Sequence, residues 1–182
     1  KINTNDQDMT AGADPVTQTY DGTAYGITVN VTFANGETKV PTISYSEDGT
    51  NYSSTNPMYT NWTSTAKTVH YKVELAGYAP ISKSATVTIN KRPIQITVNN
   101  AEKLNGRPDP IFTGTITSGT VIGTDVLGTI SYSRSNTGVE TVGTYAGVLV
   151  GKIESPNTNY NVSFKPGQFK INTNDQDMTV IL

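Results

Sequence analysis

Ten residues, KINTNDQDMT, occupy positions 1–10 and return unchanged at 170–179. Chance does not repeat ten residues, so one segment serves the same purpose twice. A weaker echo lies midway. Asn3 and Asn172 each close a Lys-Ile-Asn triplet, and Asn90 closes Thr88-Ile89-Asn90. Asn3 and Asn90 stand 87 residues apart, Asn90 and Asn172 stand 82 apart. Near-equal spacing of strand-ending marks is how an array of similar beads reads. Lys91-Arg92-Pro93 sharpens the boundary, because Pro removes a backbone donor and interrupts a central strand. The expected organisation is a junction at 1–10, one module at 11–90, a second at 91–171 and a junction to a next module at 172–182. With no initiator Met and no signal peptide, the chain reads as a piece of something longer.

What folds inside each module follows from alternation. Ile27, Val29, Val31 and Phe33 share one face of a strand, with Thr and Asn on the other. Asn35-Gly36 follows, the strongest short hairpin signal, and predicts a return strand over Val40 to Tyr45. Val69, Tyr71, Val73 and Leu75 alternate inward, and Thr86 to Asn90 closes the first module. The second module offers Ile94 to Val98, Ile111 to Ile116, Gly128 to Tyr132, Thr144 to Val150, Tyr160 to Phe164 and Phe169 to Ile171. The chain contains 30 Thr, and β-branching favours strands. Helical rhythm is missing. The reading is all-β, as two tandem small β-sandwich modules of Ig-like or related type.

Composition removes several functions. Net charge is −2 and the isoelectric point about 5.3, so no basic footprint marks a nucleic-acid partner. No apolar run approaches the ~18 residues that insert into a membrane. Cysteine is absent, which excludes disulfides and thiol chemistry. His70 is the single histidine, and alternation places it on the outer face of its strand. No nucleophile–base pair stands out, and the chain reads as a non-enzyme.

Short motifs in the second module carry a resemblance. Lys91-Arg92-Pro93-Ile94 opens it; Lys103, Gly106, Asp109-Pro110, Ser133-Arg134 and Val142-Gly143-Thr144-Tyr145 follow. Asn159-Tyr160-Asn161-Val162 and Gly167 with Phe169-Lys170-Ile171 close it. This order resembles the MBG repeat modules of bacterial surface adhesins, with Asn105 where the family usually places Tyr. The first module resembles the related YDG-type repeat, through Thr19-Tyr20-Asp21-Gly22-Thr23, Tyr45 to Ser53, Tyr71-Lys72-Val73, Gly77-Tyr78 and Ala85 to Ile89. The resemblance implies extracellular β-sandwich repeats at a bacterial cell surface or wall, without catalysis. It implies neighbouring modules of the same chain as partners. No ligand follows from the name.

Two places offer chemistry. Asp6 and Asp8, copied as Asp175 and Asp177, set carboxylates two apart among Asn oxygens, which suits calcium at a junction. A solvated polar linker is the plainer reading of them. No other cofactor is implied. Trp62, the only Trp, sits with Tyr59 and Asn61 in a polar loop. An exposed indole beside Tyr and Asn can stack on a host glycan, including one carried by a mucin-type glycoprotein; a lid folded onto the core is the plainer reading, since aromatics usually bury area. A Lys–Asn isopeptide crosslink needs a buried lysine, and of the strand lysines Lys72 and Lys83, alternation turns Lys72 outward. The functional expectation is a stalk or spacer, with glycan binding as the alternative.

Overall fold

A computed structural model describes residues 9–34 and 36–174. The chain divides between Lys91 and Arg92 into two compact units. Every regular element among the described residues is a β-strand.

The first unit holds β1 (Met9–Gly12), β2 (Val16–Thr19), β3 (Asn30–Phe33), β4 (Thr42–Ser46), β5 (Lys67–Glu74) and β6 (Ile81–Asn90). One sheet runs β2-β6-β5-β4; the other pairs β1 with β3. Strict alternation in β5 and β6 buries Val69, Tyr71, Val73, Ala85, Val87 and Ile89. Met9 and Ala11 of β1 are buried too, and the Lys83 Nζ donates to the Ala11 carbonyl at 2.8 Å. Met9 and Thr10, the last two residues of the KINTNDQDMT copy, are therefore part of a strand.

Two local expectations fail here. The predicted hairpin across Asn35-Gly36 does not pair its strands: β3 lies against β1, while β4 lies against β5. The turn itself forms, with Gly36 N–H donating to Phe33 O at 3.1 Å. The chain then leaves the sheet. Val40 is 89% exposed, and Pro41 has no N–H with which to continue a ladder. Nor does the strand reach back to Ile27. The Ile27 carbonyl accepts from Asn56 Nδ2 at 2.7 Å instead of from a neighbouring strand, and Ile27 is buried as its alternation requires.

The second unit holds β7 (Arg92–Val98), β8 (Ala101–Leu104), β9 (Gly114–Ser118), β10 (Thr129–Arg134), β11 (Gly143–Glu154), β12 (Tyr160–Lys165) and β13 (Gly167–Asn172). Its sheets run β10-β11-β13-β8 and β12-β7-β9. Val98, Leu149, Phe169 and Ile171 form one buried cluster, with Phe112, Tyr132, Tyr145 and Phe164 packed on it. Both sheets contribute to that core. Pro93 lies within the central strand β7, against expectation. The ladder to β9 begins only at Gln95, opposite the last residue of β9, so the missing donor falls where β9 has already ended. The strand predicted from Ile111 begins instead at Gly114, and Ile111 is 93% exposed beyond Pro110.

The first and last strands of this unit run side by side in the same direction. β7 pairs with β12 from Arg92↔Tyr160 to Thr97↔Lys165, and β8 pairs with β13 from Ala101↔Phe169 to Leu104↔Asn172. Partners differ by 68 in residue number throughout. Two arms, 92–104 and 160–172, thus cross from one sheet to the other together, without a register slip. At the crossing, Gln168 N–H donates to Asn100 Oδ1 at 2.7 Å. A Cβ on Gly167 would lie 2.4 Å from the Val98 carbonyl oxygen, so only glycine lets the arms meet there.

Candidate functional site

Trp62, Tyr59 and Asn61 line one shallow concavity of about 380 Å³ with Met58, Thr60, Thr63 and Lys67. The loop is pinned from two sides. Tyr59 and Tyr25 exchange both backbone hydrogen bonds at 2.9 Å. Thr63 is buried: its N–H donates to Ile89 O at 3.0 Å, and its Oγ1 accepts from Ile89 N–H at 3.1 Å. The turn before Trp62 is therefore tied to the end of β6.

Within this groove the side chains are partly committed. Lys91 Nζ sits 4.0 Å from the Trp62 ring, so a cation already covers one face of the half-buried indole. The Tyr59 hydroxyl donates to Glu47 Oε1 at 2.6 Å. Burial, reinforced by that carboxylate, pushes the Tyr59 phenol up to about 12. Asn61 is exposed. What remains for a ligand is a polar rim beside an aromatic floor whose one face is occupied.

His70 is half-buried, and its ring lies in ordinary contact with the space a Cβ on Gly49 would fill. The turn above it is organised by Asp48. Its carboxylate accepts from Asn51 N–H, Thr50 N–H, Asn51 Nδ2 and Ser46 Oγ, and these bonds hold it far below the usual carboxylate range. Lys72 stacks over Tyr52 at 4.2 Å, and Lys83 is spent on Ala11.

The second unit brings four charged side chains together in one place. Lys103 and Arg134 have side chains only 5% exposed. Arg134 donates to Asp109 Oδ2 at 2.6 Å and to Glu140 Oε1 at 2.5 Å; Lys103 meets Asp109 Oδ1 at 2.9 Å and Glu140 Oε2 at 2.5 Å. Each carboxylate bridges both cations, closing a square. Arg134 also donates to the Val139 carbonyl and lies 5.2 Å from the Phe169 ring. The square fastens the loops at 105–109 and 135–142 to the core.

Its protonation follows from its geometry. Burial pushes the Asp109 carboxyl up, but the hydrogen bonds from Lys103 and Arg134 outweigh it and hold the group below its ordinary value. Lys103, then Arg134, holds Glu140 down as well. Glu140 and Asp109 raise Lys103 in return. Amide formation needs a neutral acid and a neutral amine. A buried lysine beside two ionised carboxylates is thus arranged as an ion network rather than a crosslink. Lys103, Asp109 and Arg134 were all motif residues of the sequence reading; Glu140 was not recognised as their fourth member.

The calcium candidates Asp6, Asp8, Asp175 and Asp177 lie outside the described residues. Among the described residues, no group of three acidic or histidine side chains is placed to hold a metal, and no helix is long and apolar enough to cross a membrane.

Comparison with known proteins places a family on the second unit. Residues 94–170 match the family model described as the MBG domain of YGX type. That span covers most of both arms, the ion square and the core cluster except Ile171, and carries most of the motifs on which the resemblance rested. No curated protein and no solved structure matches the chain.

Proposed function

We propose that the chain is a non-catalytic repeat segment of a bacterial cell-surface protein, acting outside the cell as a stalk or spacer. The match over residues 94–170 supports a repeat module. One observation carries the spacer reading. The parallel arms start together at Arg92 and Tyr160 and finish together at Leu104 and Asn172. The chain therefore enters this unit at one end of the arms and leaves at the other. A module with entry and exit at opposite ends adds length for every copy inserted; a module with adjacent ends does not. Neighbouring modules of the same chain are its partners in this reading. The test is to exchange residues 94–170, in the full-length surface protein, for an unrelated β-module of equal length. Display of the remaining domains is expected to persist, and its loss would overturn the reading.

The alternative is capture of a host glycan or glycoprotein at Trp62. The convergence of Trp62, Tyr59 and Asn61 on one concavity supports it. A glycan array probed with the whole chain and with Trp62→Ala separates the two. A glycan retained by the first and lost by the second favours binding.

A further inference from the structure

We infer that the two parallel arms of the second unit are a load-bearing clamp, which resists tension applied along the chain. The inference deepens the spacer reading and takes its biological use from it, but its physics stands on the strand pairing. Tension pulls β7 backward at Arg92 and β13 forward at Asn172. Because the arms are parallel, those forces slide one arm past the other. Sliding loads every bond of the ladder at once, whereas pulling both arms from the same end opens the bonds one by one.

The ladder is long for so small a unit. Six residue pairs join β7 to β12 and four join β8 to β13. Arg92 N–H donates to Asn159 O at 2.8 Å before the first pair, and Asn105 N–H donates to Asn172 O at 2.9 Å after the last. Ser163 Oγ adds a bond to the Ile94 carbonyl. The weak point of such a device is the passage between sheets, where neither ladder continues. There Asn100 Oδ1 holds Gln168 N–H, and Gly167 allows backbone contact with Val98 and Asn99. Both arms are also anchored from the side: β13 by β11, and β7 by β9.

Single-molecule pulling on the whole chain tests this, because a chain without cysteine takes attachment points only where pairs are introduced. Cysteines replacing the exposed Asn90 and Thr173 load the arms in opposite directions. Cysteines replacing Asn90 and the exposed Thr158 pull them apart from their shared start. The first pair should require at least about two-fold more force at the same loading rate, since forced rupture follows the unfolding barrier along the pulled direction. Asn100→Ala should lower the first force and leave the second unchanged, because a peel from the shared start reaches the Asn100 link only after the β7–β12 ladder has opened. Equal forces in the two geometries, or an equal loss in both on Asn100→Ala, would overturn the clamp while leaving the spacer reading intact. A high force in the first geometry together with specific glycan capture at Trp62 would overturn the spacer reading and leave the clamp.

Discussion

The two units close their folds with the same device at different strengths. In the first, the parallel ladder between early and late strands is Val16–Thr19 against Val87–Asn90, four pairs, extended by Tyr20 N–H to Asn90 O. In the second it spans ten pairs across both sheets. The loops differ in the same sense. The first unit fastens its loops with the Asp48 turn, phenol–carboxylate bonds such as Tyr59 to Glu47, and lysines over Tyr52, Trp62 and Tyr78. The second also has single ties, such as the Tyr160 hydroxyl to Asp125, but adds one buried square of two cations and two anions. Distributed fastening loses little when one contact is removed. A single buried square and a long ladder in two parts fail at identifiable residues.

The sharpest way to break that contrast is to empty the core beneath the square. Phe169 is fully buried, meets Phe112 edge-on at 5.6 Å and lies beside the Arg134 guanidinium. Phe169→Ala should destabilise the second unit by about 3–5 kcal/mol, the usual cost of a large core ring. Urea unfolding followed by far-ultraviolet circular dichroism should show it. Trp62 is the only Trp and belongs to the first unit, so its fluorescence follows that unit alone. A Trp62 transition that moved as far would remove the basis for treating the units separately.

Next in size is the square itself. Arg134→Met keeps the stem and removes the charge, leaving Asp109 and Glu140 with Lys103 only. Glu140 is about half open to water (49%), so the cost falls between the exposed and buried limits, roughly 1–3 kcal/mol. The pH dependence has a fixed sign. Both carboxyls are held low in the fold, so their contribution is present above the unfolded values near pH 4 and disappears as pH falls through the lower folded values. The stability gap between the wild-type chain and Arg134→Met should thus be flat from pH 5 to 8 and shrink in acid. A gap that persisted at low pH would assign Arg134 a packing role instead.

These residues also mark how far the sequence could be read. β5, β6 and β7 were legible because one face of each is buried and alternation records it. β1, β2 and β8 were not: each has four residues, and each exists through a partner far along the chain, at an offset no local pattern contains. β11 was read only to Val150, yet it continues to Glu154 against β10; Gly151, Lys152 and Glu154 carry no apolar alternation to mark that end. Lys103, Asp109 and Arg134 stood out as motif residues, yet their mutual contact is tertiary. Glu140 carried one usable signal. In a chain with 15% charged residues, two buried cations require two anions. The Trp62 groove was visible as a cluster of aromatic and amide residues, but the cation on its face comes from Lys91, at the module boundary.

In the first unit the expected effects are smaller. Thr63→Val preserves shape and removes the hydroxyl that accepts from Ile89 N–H, leaving a buried donor unpaired. The cost should be about 1–3 kcal/mol, seen as a shift of the Trp62 fluorescence transition in urea. An unshifted transition would mean that the backbone bond from Thr63 N–H to Ile89 O pins the loop unaided.

The smallest effect should come from Tyr59→Phe, which deletes one hydroxyl among several fastenings. At neutral pH the first unit should lose little, because the paired backbone bonds to Tyr25 stay in place and Glu47 regains water. The distinctive readout lies in alkali. The folded phenol is raised to about 12, while an unfolded tyrosine ionises near 10. Between those values the folded state binds the proton more tightly than the unfolded state. The stability this supplies is fully present below pH ~10 and is lost as pH rises toward the folded value. Tyr59→Phe should therefore reduce the alkaline loss of stability measured through Trp62, and should remove a late-ionising component from the phenolate absorbance titration. Tyr25 is raised as well, through its bond to Asp21, so part of the late titration should remain in the variant. Loss of absorbance from the component that ionises near 10, with the late component intact, would show that the Tyr59 hydroxyl faces water rather than Glu47. The groove beside Trp62 would then present a free phenol, and the contrast between a committed loop and an open binding rim would have to be redrawn in favour of the glycan reading.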